Sequence, residues 1–194
     1  MLVIYNRLSY TLQICGRIAS ILMMDAIRAK IRDIPNFPKK GIIFKDITPV
    51  LNDPHLFHRV IDIFTERYSD EKINKVVCVE SRGFIFGAAL AYNLNAGLIL
   101  VRKVGKLPHK TIKKSYSLEY GVDHLEMHED SITPNERILI IDDVLATGGT
   151  ANATVHLVEQ LGGKVISLAF LIELTFLKGR EKLKTHDIFS LIQY

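Results

Sequence analysis

Five short apolar runs, VVCVE (76–80), LILVR (98–102), ILIIDD (138–143), VISLAFLI (165–172) and IFSLI (188–192), constrain the fold most. Each is rich in Val, Ile or Leu and too short for a helix, so each reads as a strand. Helical patterns separate them. DPHLFHRVIDIFTERY begins with Asp53 as a cap and Pro54 in the first turn, FIFGAALAYNL follows, and TANATVHLVEQL ends at Gly162 and Gly163. Strands that are apolar nearly throughout, alternating with helices, imply a parallel sheet covered on both faces. The expected class is α/β: an open, mainly parallel twisted sheet with helices on both faces, binding ligands at the carboxyl ends of its strands.

Composition narrows what such a sheet serves. At 194 residues, 48% hydrophobic and 24% charged, the chain can bury one sizeable core. A formal charge of +4 with no run of five Lys/Arg points to a small anionic ligand and away from nucleic acid. Cys15 and Cys78 are far apart and match no metal or redox spacing, as expected of reduced thiols in a cytoplasmic protein. No segment has the roughly 18 uninterrupted apolar residues of a membrane span. Residues 1–24 differ in texture and fit a secretory signal poorly; they read as an over-extended, non-native or disordered leader, with the functional domain at 25–194 starting from Met23 or Met24.

The strand ILII runs into Asp142 and Asp143, then ATGGT, then a helix starting near Thr150. Gly148 and Gly149 let backbone amides approach an anion, and the helix N-terminus adds partial positive charge. Adjacent carboxylates would repel a phosphate, so they call for hydroxyls or a cation nearby. A ribose 5-phosphate meets both demands: amides and the Thr147 and Thr150 hydroxyls on the phosphate, carboxylates on the diol. A P-loop is excluded by the missing G-x-x-x-x-G-K-[ST], and a dinucleotide fold by the missing G-x-G-x-x-G.

ILIIDDVLATGGT also resembles the phosphoribosyl-pyrophosphate motif of the type I phosphoribosyltransferases. FPKKGIIFKDITPVL (37–51), ESRGFIFGAAL (80–90), RKVGKLPHKTIKKSYSLEYG (102–121) and LIELTFLKGREKL (171–183) are similar to the adenine-specific branch of that family. The resemblance implies transfer of a phosphoribosyl group from phosphoribosyl pyrophosphate to adenine, giving AMP and pyrophosphate in purine salvage, with Mg²⁺ carried by the diphosphate. It also implies a small N-terminal base-binding hood, a flexible catalytic loop and a homodimer.

Carried over residue by residue, the resemblance assigns Asp142, Asp143, Ala146, Thr147, Gly148, Gly149 and Thr150 to phosphoribosyl pyrophosphate. Arg82 contacts the pyrophosphate and frames the purine pocket, and Arg102 reaches the pyrophosphate of a neighbouring subunit. Lys103 and Lys106 belong to a cationic segment able to close over a polyphosphate and shut out water. Glu119 is the acid/base partner of the purine imidazole edge, and Tyr120 closes over the site. Backbone groups at Ile43 and Lys45 would read adenine, with Phe44 stacking on it. His109 and Lys110 stand where relatives often have smaller or differently charged residues.

The residues themselves leave plainer readings open. An Asp pair can cap a helix, a lysine-rich segment can be a solvated hairpin, and 37–51 can be an ordinary edge strand. The pairs His55/His58 and His124/His128 lack a third ligand at metal spacing and read as surface or capping histidines. Two other functions stay in view: transfer to hypoxanthine, guanine or xanthine, and a phosphoribosyl-pyrophosphate-sensing regulator. The regulator reading finds no helix-turn-helix pattern to support it.

Overall fold

The computed structural model describes residues 23–118 and 121–194. Of the sequence expectations, the leader up to residue 22, Cys15, Glu119 and Tyr120 lie outside the described residues. The described chain up to Arg59 forms one compact unit and Val60–Tyr194 a second.

The first unit begins with helix α1 (23–30), followed by a two-stranded antiparallel ribbon of β1 (Arg32–Pro35) and β2 (Ile43–Asp46). Phe37 meets Phe44 edge-on at 5.2 Å, and the Lys45 ammonium pairs with Asp33 at 2.7 Å. Gly41 turns the ribbon with φ +90°, a conformation that disfavours any side chain. Helix α2 (Thr48–Leu51) leads to α3 (Pro54–Tyr68). Asp53 caps α3 as the sequence predicts, its Oδ1 accepting the N–H groups of His55 and Leu56.

In the second unit the five apolar runs are all strands. They are β3 (Lys75–Val79), β4 (Gly97–Lys103), β7 (Arg137–Leu145), β8 (Lys164–Glu173) and β9 (Ile188–Gln193). They pair in parallel in the order β4-β3-β7-β8-β9. Two antiparallel strands, β6 (Gly121–His128) and β5 (Thr111–Leu118), extend the sheet beyond β4. Helix α4 (Gly83–Asn93) connects β3 to β4, and α5 (Gly149–Gln160) connects β7 to β8. At its end α5 turns through Gly162, φ +81°, whose N–H and that of Gly163 bond back to Glu159 and Val158.

Val77, Ile138, Ile140, Leu168 and Phe170 are buried beneath Val155, Leu157 and Val158 of α5. Burying side chains of this size stabilises by about 1.5–3 kcal/mol each. On the other side, Phe64 packs edge-on against Phe86 and Phe189. Of the segment expected as one long loop, 102–121, the described residues 102–118 are instead the end of β4, a turn, and the edge strand β5.

Candidate active site

The sheet order places a site without reference to any motif. From β3 the chain crosses to β4 on one side, and from β7 it crosses to β8 on the other. The two crossovers part between β3 and β7, and such a switch point leaves a crevice at the carboxyl ends of the strands. The β3–β7 ladder stops at Cys78 and Ile141, while β7 continues to Leu145 against β8 alone. Asp142 and Asp143 occupy that freed stretch, three and two residues before the strand ends.

Arg82 enters the crevice from the β3 side, immediately before α4, and pairs with Asp143 at 2.6 Å. Asp143 is only 5% exposed, and Asp142 is partly buried. Burial pushes the Asp142 carboxyl well above its ordinary range, and the like charge of Asp143 pushes it further. Asp143 is raised by burial too, with Arg82 pulling against the shift. Gly83 makes the close approach possible, because a Cβ there would stand 2.9 Å from Asp142 Oδ1. The crevice thus holds two carboxylates that carry one guanidinium between them, and it favours ligands that bring hydroxyls or positive charge.

After Leu145 the chain passes through Ala146, Thr147 and Gly148 into α5 at Gly149. Gly148 adopts φ +75°, and its carbonyl accepts the Asn152 N–H in the first helical turn. The free amides of this turn and the helix dipole suit a phosphate. Tyr116 of β5 lies beside Thr150; burial raises its hydroxyl against the pull of the Thr150 hydroxyl. Behind the turn runs a segment that sequence reasoning singled out only by resemblance, the 3₁₀ turns Thr175–Leu177 and Gly179–Leu183. A Cβ on Gly148 would strike the Gly179 carbonyl oxygen, and one on Gly179 would strike the Ala146 carbonyl oxygen.

Two of the cationic residues converge on Glu80, two positions before Arg82 in the chain. The Glu80 carboxylate receives Lys106 Nζ at 2.6 Å, Arg102 Nη2 at 3.2 Å and the Lys103 N–H at 3.2 Å. Burial opposes ionisation of Glu80, but the Lys106 ammonium, the Arg102 guanidinium and the Lys103 amide overcome it and hold the carboxyl at about 2. Lys103 turns its side chain instead to Asp123 at 3.0 Å. The site therefore unites Arg82, Asp142, Asp143 and 146–150, with Arg102 and Lys106 gathered on Glu80. Sequence reasoning gave Glu80 no role, since its side-chain partners Arg102 and Lys106 come from β4 and the turn after it, 22 and 26 residues away.

Ile43 is more than half exposed on β2, and Phe44 and Lys45 are partly buried in the ribbon. Of the histidines, His124 Nδ1 meets the Ser115 hydroxyl at 2.9 Å and His128 stacks edge-on with His109. Among the described residues no group of three or more His, Cys, Asp or Glu is arranged to hold a metal. No described helix is long and apolar enough to cross a membrane.

Residues 46–192 match the phosphoribosyl transferase domain. The adenine phosphoribosyltransferase of Anaeromyxobacter dehalogenans is 56% identical over 172 residues, which is 89% of this chain and all of that relative. The crystal structure of adenine phosphoribosyltransferase from Thermoanaerobacter pseudethanolicus superposes with a TM-score of 0.86 at 51% identity, over 88% of this chain and 99% of that one. The enzyme from Saccharomyces cerevisiae, crystallised with adenine and an imino-altritol bisphosphate, has a TM-score of 0.84 at 40% identity over 88% of this chain and 99% of that one. With a crevice that pairs Arg82 with the Asp142–Asp143 step beside a phosphate-type turn, this chain belongs to the adenine phosphoribosyltransferase family.

Proposed function

We infer that the chain transfers the 5-phosphoribosyl group of phosphoribosyl pyrophosphate to adenine, releasing AMP and pyrophosphate. The carrying observation is the crevice at the β3–β7 switch point, where Arg82 meets Asp143 at 2.6 Å beside the 146–150 turn. The turn's amides take the 5′-phosphate, and the carboxylates accept hydrogen bonds from the ribose diol. Arg82 and Lys106 take the diphosphate, and Arg102 reaches the diphosphate bound by a neighbouring subunit.

In the reaction the bond from C1′ to the diphosphate breaks, and a bond from C1′ to the purine nitrogen forms. Positive charge develops on the sugar as in glycoside hydrolysis, and negative charge on the leaving group. Asp142 and Asp143 face the first charge; the cations neutralise the second. Glu119 manages the proton of the purine imidazole edge, and Tyr120 closes over the site. The backbone of Ile43 and Lys45, with Phe44 stacking, selects adenine.

Mg²⁺ fits this donor set. An ion that keeps several waters needs only one or two carboxylates in addition to substrate phosphates, and the Asp142–Asp143 pair, both raised by burial and Asp142 further by the charge of Asp143, is relieved by a cation. When bound with the diphosphate it neutralises leaving-group charge. A homodimer is supported by large apolar side chains exposed on packed neighbours, Ile85 and Tyr92 on α4 and Leu98, Leu100 and Val104 on or next to β4. Residues 25–194 act as one catalytic domain, and the protein works in the cytoplasm without nucleic acid or membrane.

Glu119→Gln tests the reading. It should retain phosphoribosyl pyrophosphate binding, seen as thermal stabilisation, and lose AMP formation by about 100-fold or more. Full activity in this variant would remove Glu119 from the mechanism.

A further inference from the structure

Glu126 is a carboxylate buried to 2% exposure, and among the described residues it forms hydrogen bonds but no ion pair. Its Oε1 accepts three consecutive backbone N–H groups, from Gly105 at 2.9 Å, Lys106 at 3.0 Å and Leu107 at 3.0 Å. Its Oε2 accepts the Thr111 hydroxyl at 3.2 Å. Three successive amides converging on one oxygen form an anion nest, here filled by the protein's own side chain. The turn after β4 is thus wrapped around Glu126, with Gly105 at φ +88° supplying the bend.

That turn carries Lys106, and Arg102 stands in β4 just before it. With its amide fixed, Lys106 presents its carbonyl to Arg102 Nη1 at 3.2 Å and its ammonium to Glu80 at 2.6 Å. Arg102 stands opposite Glu126 in the β4–β6 ladder, so one carboxylate sets both ends of the cluster. We propose that Glu126 is a positioning residue for phosphoribosyl pyrophosphate, holding Lys106 and Arg102 in the geometry that receives the diphosphate. It touches no substrate; it acts through the turn. Cations held in place before the ligand arrives lose little freedom on binding, and loosening them weakens recognition of the diphosphate alone.

The proposal rests on the assignment of Arg102 and Lys106 to the diphosphate, and the test separates the two. Steady-state constants for both substrates and product inhibition by pyrophosphate are measured for Glu126→Ala, Glu126→Gln, Gly105→Ala, Arg102→Met and Lys106→Met. Glu126→Ala should raise the KM for phosphoribosyl pyrophosphate and weaken pyrophosphate inhibition by roughly 10-fold or more, with the adenine KM within about twofold. Glu126→Gln should restore most of this, because its carbonyl oxygen still accepts the three amides.

Gly105→Ala strains the turn without a clash, since nothing lies within 4 Å of the added methyl, and should reproduce the effect even if Glu126→Ala does not fold. If Glu126→Ala or Gly105→Ala folds and leaves both diphosphate readouts unchanged while Arg102→Met and Lys106→Met raise them, the positioning role is overturned. If the two cation variants also change nothing, the diphosphate assignment itself falls, and the proposal with it.

Discussion

Asp142→Asn should make the ligand-free protein more stable and a poorer binder of its sugar substrate. Asp142 is pushed up by burial and by Asp143, so its charge is a standing cost to the fold. At an effective dielectric of about 20, two like charges about 4 Å apart repel by about 4 kcal/mol. Arg82, 2.6 Å from Asp143, cancels much of that field, and relief of desolvation adds to what is left. A net gain of about 1–2 kcal/mol is expected, or a rise in Tm of about 2–8 °C for a protein of this size. Asn keeps the oxygen that accepts the Asp143 N–H at 2.9 Å, so the strand is undisturbed.

The gain depends on pH with a definite sign. The folded carboxyl has a raised pKa, so the native state holds its proton above the unfolded value of 3.8. The cost is absent below 3.8, grows as pH rises through the folded value and is complete above it. Scanning calorimetry of both proteins from pH 4 to 8 should show the Tm gap opening with pH. The KM for phosphoribosyl pyrophosphate should rise roughly 10- to 100-fold, since a hydrogen bond to a charged group contributes about 1.5–3 kcal/mol. An Asn variant that is less stable at neutral pH, or that binds the substrate normally, would refute the reasoning.

Other variants probe separate parts of the site. Arg82→Met leaves Asp143 buried without its cation and should lower kcat/KM for phosphoribosyl pyrophosphate by roughly 100-fold or more, measured by initial rates. Gly179→Ala forces a methyl into the Ala146 carbonyl and should raise the same KM by roughly 10-fold, with the adenine KM unchanged. Arg180 clamps the buried Glu173 with Nε at 2.6 Å and Nη2 at 2.7 Å, and Arg180→Met should cost about 2 kcal/mol in urea denaturation, the pair being half open on the arginine side. Glu80 has a depressed pKa, so it stabilises above its unfolded value of 4.5. The stability difference between wild type and Glu80→Gln should shrink as pH falls from 4.5 towards about 2.

The five parallel strands and the turn after Asp142–Asp143 were legible because buried strands and Gly-rich turns leave dense local signals. Strand β5 was not. TIKKSYSL alternates, with Lys113 and Ser115 exposed between partly buried Ile112, Lys114 and Tyr116, yet its lysines read as loop. Charges of this kind are what an edge strand needs to resist pairing with another chain, and β5 is the edge of the sheet. The four-residue ribbon strands, one containing Pro35, are too short to carry a period. Glu126 and Gly179 act through partners brought by tertiary pairing, which no local pattern records. The ion pair of Arg82 with Asp143 likewise joins residues 61 positions apart across the β3–β7 step, visible only once the sheet is built.

The central claim is phosphoribosyl transfer to adenine. It is tested most directly by incubating the protein with Mg²⁺, phosphoribosyl pyrophosphate and equal adenine, hypoxanthine, guanine and xanthine, then separating and counting the nucleotides. AMP alone is the expected product. A different dominant nucleotide would contradict the base pocket at Ile43 to Lys45, and no nucleotide at all, with the sugar substrate still bound, would contradict catalysis itself.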